Sequence, residues 1–542
     1  MRRLVVLYCS AAILVLARIG GPVSASGAKL LSKIPANSRL VVYLPSIRKF
    51  DRAFPALIRA EFNGGPASDS RQVLQKALAS MGLAGAIDPD GSVVVVVPGN
   101  SVGVAMDDVP SIFILTILHR KTFLRAVQGK LLKTGVYRGE LDHFDIGMPH
   151  TENFVFRFSG RHVICAKSTR VLAKFEHASA WLKPSQVVGW AHRPSPLLAV
   201  RINMGQEAFE LRSGMMAIIG LRMQLMGRPT KPDIQTLQWE HFANRLINNT
   251  KSVAMTLAVR HGVMLGRVQL SPKPASQLAE LIAAQHTLSP KVIDSLPLHA
   301  YMTAMMEAVN WRALGDYLAL SFGRPRKSES ATQEKISPKK VWHFPWLLNH
   351  STSAVLVVRR DPSGLTHHTA EVLAHMDSHI DMSAIRSHIR ELIYFLPSGN
   401  SSDIKIGAVG PHGVRLELGK SGAGSPSYLI NSVGGRTFLL APSRSFRRLA
   451  GELLRRRSAI SATRTRLLRK MLPYLPTGLI AVQFFSARAA DAGAPKAAAG
   501  ALAFTVHHRP AMLAISRHGS RLDINYFVPM TIWRHAGSFY GF

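Results

Sequence analysis

Ten cations crowd one short stretch of this chain. Arg444, Arg447, Arg448, Arg455, Arg456, Arg457, Arg464, Arg466, Arg469 and Lys470 stand against the single acid Glu452. Apolar Phe446, Leu449, Leu453, Leu467 and Leu468 thread between them. Wound into a helix, this pattern sets a basic face beside an apolar one. Such a face can lie on an anionic surface: anionic lipid headgroups, lipopolysaccharide or another polyanion. An ordinary solvated helix face would use the same residues. The rest of the chain favours the first reading, because 67 Lys+Arg against 32 Asp+Glu give a formal charge of +35 and a field that draws negative partners. Nucleic acid would exploit the same charge, but no zinc finger or aromatic-rich RNA-binding signature accompanies it, so it ranks last.

A second constellation is His368, Glu371, His375 and His379. Their spacing predicts a helix with all four on one face. Imidazole and carboxylate can hold a divalent metal such as zinc, and His at i and i+4 suits it. A metal-dependent hydrolase is therefore the alternative reading. Incidental histidines on a polar helix face explain the pattern equally, in a chain that holds 22 of them. The first His lacks a directly following Glu, so this is not the zinc-protease helix. Other enzyme-like strings fail. Gly413 to Ser421 resembles a phosphate loop but has one residue too many between its glycines. Ser337-Pro338-Lys339-Lys340 has its only Lys-Thr-Gly companion, Lys133-Thr134-Gly135, on the wrong side, and there is no Gly-x-Ser-x-Gly elbow. No catalytic set emerges, and no cofactor beyond a divalent metal is implied.

The amino terminus reads as a signal peptide over 1–25. Arg2 and Arg3 precede the uncharged, largely apolar Leu4 to Ala17, and Val23-Ser24-Ala25 offers a small-residue cleavage site. The apolar run stops at Arg18, short of the ~20 residues a spanning helix needs. Cys9 follows Tyr8 rather than a small residue, which argues against lipoprotein processing. The mature chain is thus expected outside the cytosol, in the periplasm or secreted, where it can sit peripheral to a membrane or scaffold other envelope proteins. Cleavage would lower the charge to 35 − 3 = +32 and leave Cys165 as the sole cysteine. In the apolar run His162 to Ala166 that thiol is expected to be buried and inert.

Internal repetition organises the remainder. Ile34-Pro35 with Leu40 to Leu44 resembles Leu296-Pro297 with Met302 to Met306, an offset of 297 − 35 = 262. Ser159 to Ser168 resembles Gly434 to Ser443, at 435 − 160 = 275. Leu197 to Arg201 resembles Leu479 to Gln483, at 479 − 197 = 282. Three collinear matches predict a first copy over 26–290 and a second over 291–542, with a mobile polar loop at 323–340. Phe154, Phe156 and Phe158 alternate as one face of a strand, and Ser159-Gly160 offers a hairpin turn into the next. Ser168 and Ser443 then read as helix caps before apolar residues at helical spacing. The expected class is α+β: two collinear copies of a unit with largely antiparallel sheet, hairpins and packed helices. A Pro-then-strand opening followed by a helix and a later hairpin resembles uncharacterised secreted bacterial proteins with duplicated α+β units. That resemblance covers the mature chain in outline and carries no functional residues. Two segments invite other readings. Met215, Met216, Met223 and Met226 could line a lipid or helix groove, although a core helix is simpler. The ending Tyr540-Gly541-Phe542 resembles the last strand of outer-membrane barrels, against which stands the lack of serial ten-residue alternating segments.

Overall fold

The computed structural model describes residues 30–53, 73–99, 111–145, 148–188, 196–204, 242, 244–260, 263–288, 301–321, 346–360, 368–380, 382–389, 404–409, 413–418, 427–433, 435–454, 475–485 and 511–529. Residues 1–25, where a signal peptide is expected, the expected copy boundary near 289–290, the methionine-rich stretch, residues 323–340 and the carboxy terminus lie outside the described residues. The chain divides into two compact units. One comprises residues 1–226, 250–272 and 525–542, the other 227–249 and 273–524.

Runs of β-branched and other large apolar residues, such as Val93 to Val97, favour extended backbone. The first unit arranges ten strands: β1 (Leu40–Leu44), β2 (Val93–Val97), β3 (Ile112–Thr116), β4 (Lys130–Lys133), β5 (Val136–Asp145), β6 (Met148–Ser159), β7 (His162–Ala166), β8 (Leu198–Asn203), β9 (Thr250–Arg260) and β10 (Val263–Pro272). They pair antiparallel in the order β4-β5-β6-β7-β3-β2-β1-β8-β9-β10.

The later strands are β11 (Tyr301–Glu307), β12 (Ser351–Arg360), β13 (His368–Met376), β14 (Ile404–Val409), β15 (Gly413–Leu418), β16 (Ser427–Val433), β17 (Thr437–Pro442), β18 (Leu479–Phe485), β19 (Ala511–His518) and β20 (Arg521–Pro529), the last belonging to the second unit up to Ile524. Their order is β14-β15-β16-β17-β13-β12-β11-β18-β19-β20. Adding ten to each label of the first order yields the second.

Short helices cover the sheets. In the first unit Val41, Val94, Val96, Ile112, Ile114, Ile164 and Ala166 share one buried face. Leu172 and Phe175 of the helix Thr169–Glu176 pack on it, and Ser168 caps that helix by accepting from the Val171 amide. On the opposite face Phe123, from the helix Arg120–Ala126, meets Phe156 edge-on at 5.3 Å. In the second unit Phe438 and Leu440 of β17 belong to one cluster with Ile385 and Ile389, while Leu439 and Ala441 belong to another with Phe446. A strand buried on both faces reads as an unbroken apolar run, which is why Thr437 to Ala441 lacks alternation. Among the described residues no helix is long and apolar enough to cross a membrane.

These observations overturn the α+β expectation. Among the described residues strand makes up 48% and helix 27%, and antiparallel sheet dominates. Helical spacing in the sequence marked short covering segments such as Thr169–Glu176 rather than a helical layer equal to the sheet. The first hairpin turn also sits one residue later than Ser159-Gly160. Gly160-Arg161 occupies the first corner, with Gly160 at φ 62°, while in the second hairpin Val433 pairs with Thr437 and Gly435, at φ 76°, lies between them. A glycine at positive φ in the first central position suits a two-residue turn that matches strand twist.

Gly478 opens β18 at φ +67°, and a Cβ there would strike the Arg517 carbonyl oxygen, while the Arg517 amide bonds back to the Gly478 carbonyl at 2.8 Å. Gly519 has similar φ, +61°, but open space around it. Gly478→Ala is predicted to cost roughly 3 kcal/mol and Gly519→Ala roughly 1 kcal/mol in urea denaturation. Equal losses would contradict the packing at Gly478.

Candidate anion-binding surface

The helix Ser443–Leu454 leaves β17 without a loop. Phe446 and Ala450, four residues apart, pack toward Leu373, Leu429, Leu439 and Ala441 of the sheet. That anchorage fixes which residues face water: Arg444 and Arg447 are exposed. Arg448 belongs to the same helix. Arg455, Arg456, Arg457, Arg464, Arg466, Arg469 and Lys470 lie outside the described residues. Ser443 is tied to β16 at this helix start. Its hydroxyl donates to the Ser427 carbonyl at 3.1 Å and accepts from the Ser427 hydroxyl at 2.8 Å. The described part of the basic segment therefore presents an arginine side to solvent because the opposite side is held by the sheet.

The four metal-type residues do not form a helix face. His368, Glu371 and His375 lie in strand β13, and His379 follows beyond its end. A strand rises ~3.3 Å per residue, so positions 371 and 375 are ~13 Å apart along it, too far to share an ion. Glu371 is buried opposite Val357 of β12. His379 lies against Gly435, where an added Cβ would come within 2.8 Å of Nε2. Among the described residues no group of three or more His, Cys, Asp or Glu is placed to hold a metal. The overlooked signal is the alternation of Ala370, Val372, Ala374 and Met376, all buried; period two was present beneath the spacing of three and four.

His375 has a different partner. Its Nδ1 lies 3.4 Å from the Thr437 hydroxyl across the β13–β17 ladder. The first unit repeats this on the β3–β7 ladder with the residue types exchanged: Thr116 Oγ1 lies 3.3 Å from His162 Nδ1. Burial holds both imidazoles below the ordinary histidine pKa, with Lys33 and Arg161 adding to the effect at His162. These pairs fasten the ends of matching ladders, while burial favours the neutral form of both rings.

Other titratable groups in the core are isolated by burial. Cys165 is buried in β7, and burial pushes its thiol pKa far up, which suppresses thiolate chemistry. Arg201 of β8 faces Val41 and Ala254, and burial lowers its pKa. Glu307, at the end of β11, is 7% exposed and accepts a hydrogen bond from Trp311 Nε1 at 3.0 Å. Burial pushes its carboxyl up to about 7, against a smaller lowering by that bond. The apolar run around Cys165 already pointed to a buried thiol, whereas nothing in the spacing singles out Arg201 or Glu307, since their burial depends on strand order.

No protein-family model matches the chain, and no curated protein matches it. Solved structures give a partial likeness. Crystal form IV of TP0453 aligns with 48% of this chain and 87% of its own, at 9% identity and a TM-score of 0.23. Crystal form I of TP0453 aligns with 48% and 88%, at 11% identity and a TM-score of 0.23. Likeness at that level carries no argument about function.

Glu307 supplies a direct check on the core electrostatics. A carboxyl with a raised native pKa binds its proton more tightly when folded, so stability is full below its ordinary value of 4.5 and declines as pH rises through about 7. Glu307→Gln can still accept from Trp311 and has no charge to bury. Urea denaturation should show the variant equal to wild type near pH 4 and more stable by on the order of 2–3 kcal/mol at pH 8. A difference that does not change with pH would contradict a buried carboxyl.

Proposed function

We propose that this chain is an exported, non-enzymatic envelope protein that lies against an anionic surface or polymer through its basic helical faces. The observation that carries this reading is the helix Ser443–Leu454. Its apolar side is committed to the sheet, which leaves Arg444 and Arg447 exposed on a chain of formal charge +35. A lone exposed arginine is unremarkable, but repeated cations on a fixed face sum into a field that reaches about a Debye length into solution. Export rests on the leader-like segment Arg2 to Ala25. The metal-hydrolase alternative loses support because Glu371 and His375 are spread along a strand.

Co-sedimentation with vesicles tests the proposal. The purified protein should bind phosphatidylglycerol-containing vesicles and ignore pure phosphatidylcholine, and its affinity should fall at least roughly tenfold between 50 and 500 mM salt as the charges are screened. Arg444→Gln combined with Arg447→Gln should weaken binding a further ten- to thirtyfold, at ~1 kcal/mol for each basic side chain near an anionic bilayer. Equal binding to neutral vesicles, or no response to salt, would contradict it.

A further inference from the structure

We infer that strand β4, with the cations around it, is a hydrophobic wedge that enters the headgroup region of an anionic bilayer; this inference rests on the surface-binding reading above. Seven large apolar side chains are exposed among the described residues; Trp181 and Tyr526 stand apart, and the other five lie on or next to matching edges. Leu131 is 63% exposed and Leu132 50%, both on β4, while Leu118 is 40% exposed just before the helix Arg120–Ala126. Ile406 and Val409 are exposed on β14. Among the described residues β4 pairs only with β5 and β14 only with β15, so each stands first in its unit's order. Lys405 is exposed beside Ile406, as Lys130 and Lys133 are beside the two leucines.

The surroundings of β4 select the occupant. From Leu118 to Gly139 the chain carries Arg120, Lys121, Arg125, Lys130, Lys133 and Arg138, every one exposed, and no acid. A bare apolar edge with free backbone groups would invite an added protein strand. This one is guarded against that: it is four residues long, has lysine at both ends, and its register shifts between Leu131 and Lys133. The leucines need an apolar phase that asks for no backbone ladder, and the lysines need negative charge at the same depth. The interface of an anionic bilayer meets both needs, with the lysine stems lying along the acyl boundary and their ammonium groups among the phosphates.

The wedge also has a firm seat. A turn at Thr134-Gly135, with Gly135 at φ +74°, returns β4 into β5. Behind it Tyr137 stacks on Phe156 at 5.4 Å and 17°, and Phe123 meets Phe156 edge-on. Arg120 sits 5.1 Å over the Phe158 ring, a position that holds its guanidinium at the surface. Leu131 therefore sits opposite Tyr137 of a packed aromatic platform, with Leu132 beside it at the register shift, rather than on a free loop.

The test uses the full chain carrying Leu132→Trp, with phosphatidylglycerol vesicles that contain a spin-labelled quencher in the upper acyl chain. Wild type, with its seven tryptophans, provides the baseline. The inference expects blue-shifted emission and extra quenching in the variant on these vesicles, and no change with phosphatidylcholine alone. Leu131→Ser combined with Leu132→Ser should lower vesicle affinity roughly tenfold or more, a loss that persists at 500 mM salt because apolar burial is not screened. Salt-dependent binding without extra quenching would overturn the wedge and leave the surface reading standing. No binding of wild type to anionic vesicles at 50 mM salt would overturn both. A blue shift without lipid, accompanied by dimer formation in sedimentation velocity, would overturn the wedge by assigning this edge to a second copy of the chain.

Discussion

Each unit depends on ladders that join strands far apart in sequence, β1 with β8 and β3 with β7 in the first and β11 with β18 and β13 with β17 in the second. β3 pairs with β7, and β13 with β17, so the hairpin meander that begins each order, β4 to β7 or β14 to β17, is fastened to the strands that follow it. Without this join β4 to β7 would be an isolated meander with one apolar face exposed. With it, β3 and β7 become interior strands whose two faces must both be covered, and the segments leaving them fold back as helices. Thr169–Glu176 covers one face and Arg120–Ala126 the other. Ser443–Leu454 does the same after β17. The Thr116–His162 and His375–Thr437 pairs sit on these same ladders, so the ladder ends are held by a side-chain contact as well as by the backbone.

Charge distribution follows from this constraint. Once both faces of the interior strands are sealed, a cation has three places to go: the outer side of a covering helix, a sheet edge, or a costly site in the core. Arg444 and Arg447 take the first place and Lys130 and Lys133 the second. Arg201 takes the third, and its lowered pKa reflects the penalty. An excess of cations with so few interior positions must accumulate outside, whatever the partner. The fold thus turns a compositional bias into particular basic surfaces.

Much of the local structure was legible in the sequence, and the reasons are local. Glycine with small or polar neighbours marked the hairpin corners at Gly160 and Gly435, and Ser168 marked a helix start because its hydroxyl caps the Val171 amide. The balance of the fold was not legible. Residues 368–379 satisfy a helical spacing of polar groups and a strand spacing of apolar ones at once. The strand wins because β12 and β17 bond to β13 from both sides, and that information resides elsewhere in the chain. The same limit hid the site residues. Lys130-Leu131-Leu132-Lys133 is an unremarkable string until strand order leaves it on an edge, and Glu307 is an ordinary acid until β12 and β18 close around β11.

The central claim is that the outward cations of the covering helices and sheet edges meet a negative surface while the fastened ladders stay intact. Hydrogen exchange of the full chain with and without phosphatidylglycerol vesicles measures this most directly. The account predicts slower exchange in Arg120 to Lys133 and in Ser443 to Leu454 on the vesicles, with β2, β3 and β7 unchanged. Protection confined to other segments, or faster exchange in β3 and β7 on lipid, would contradict it.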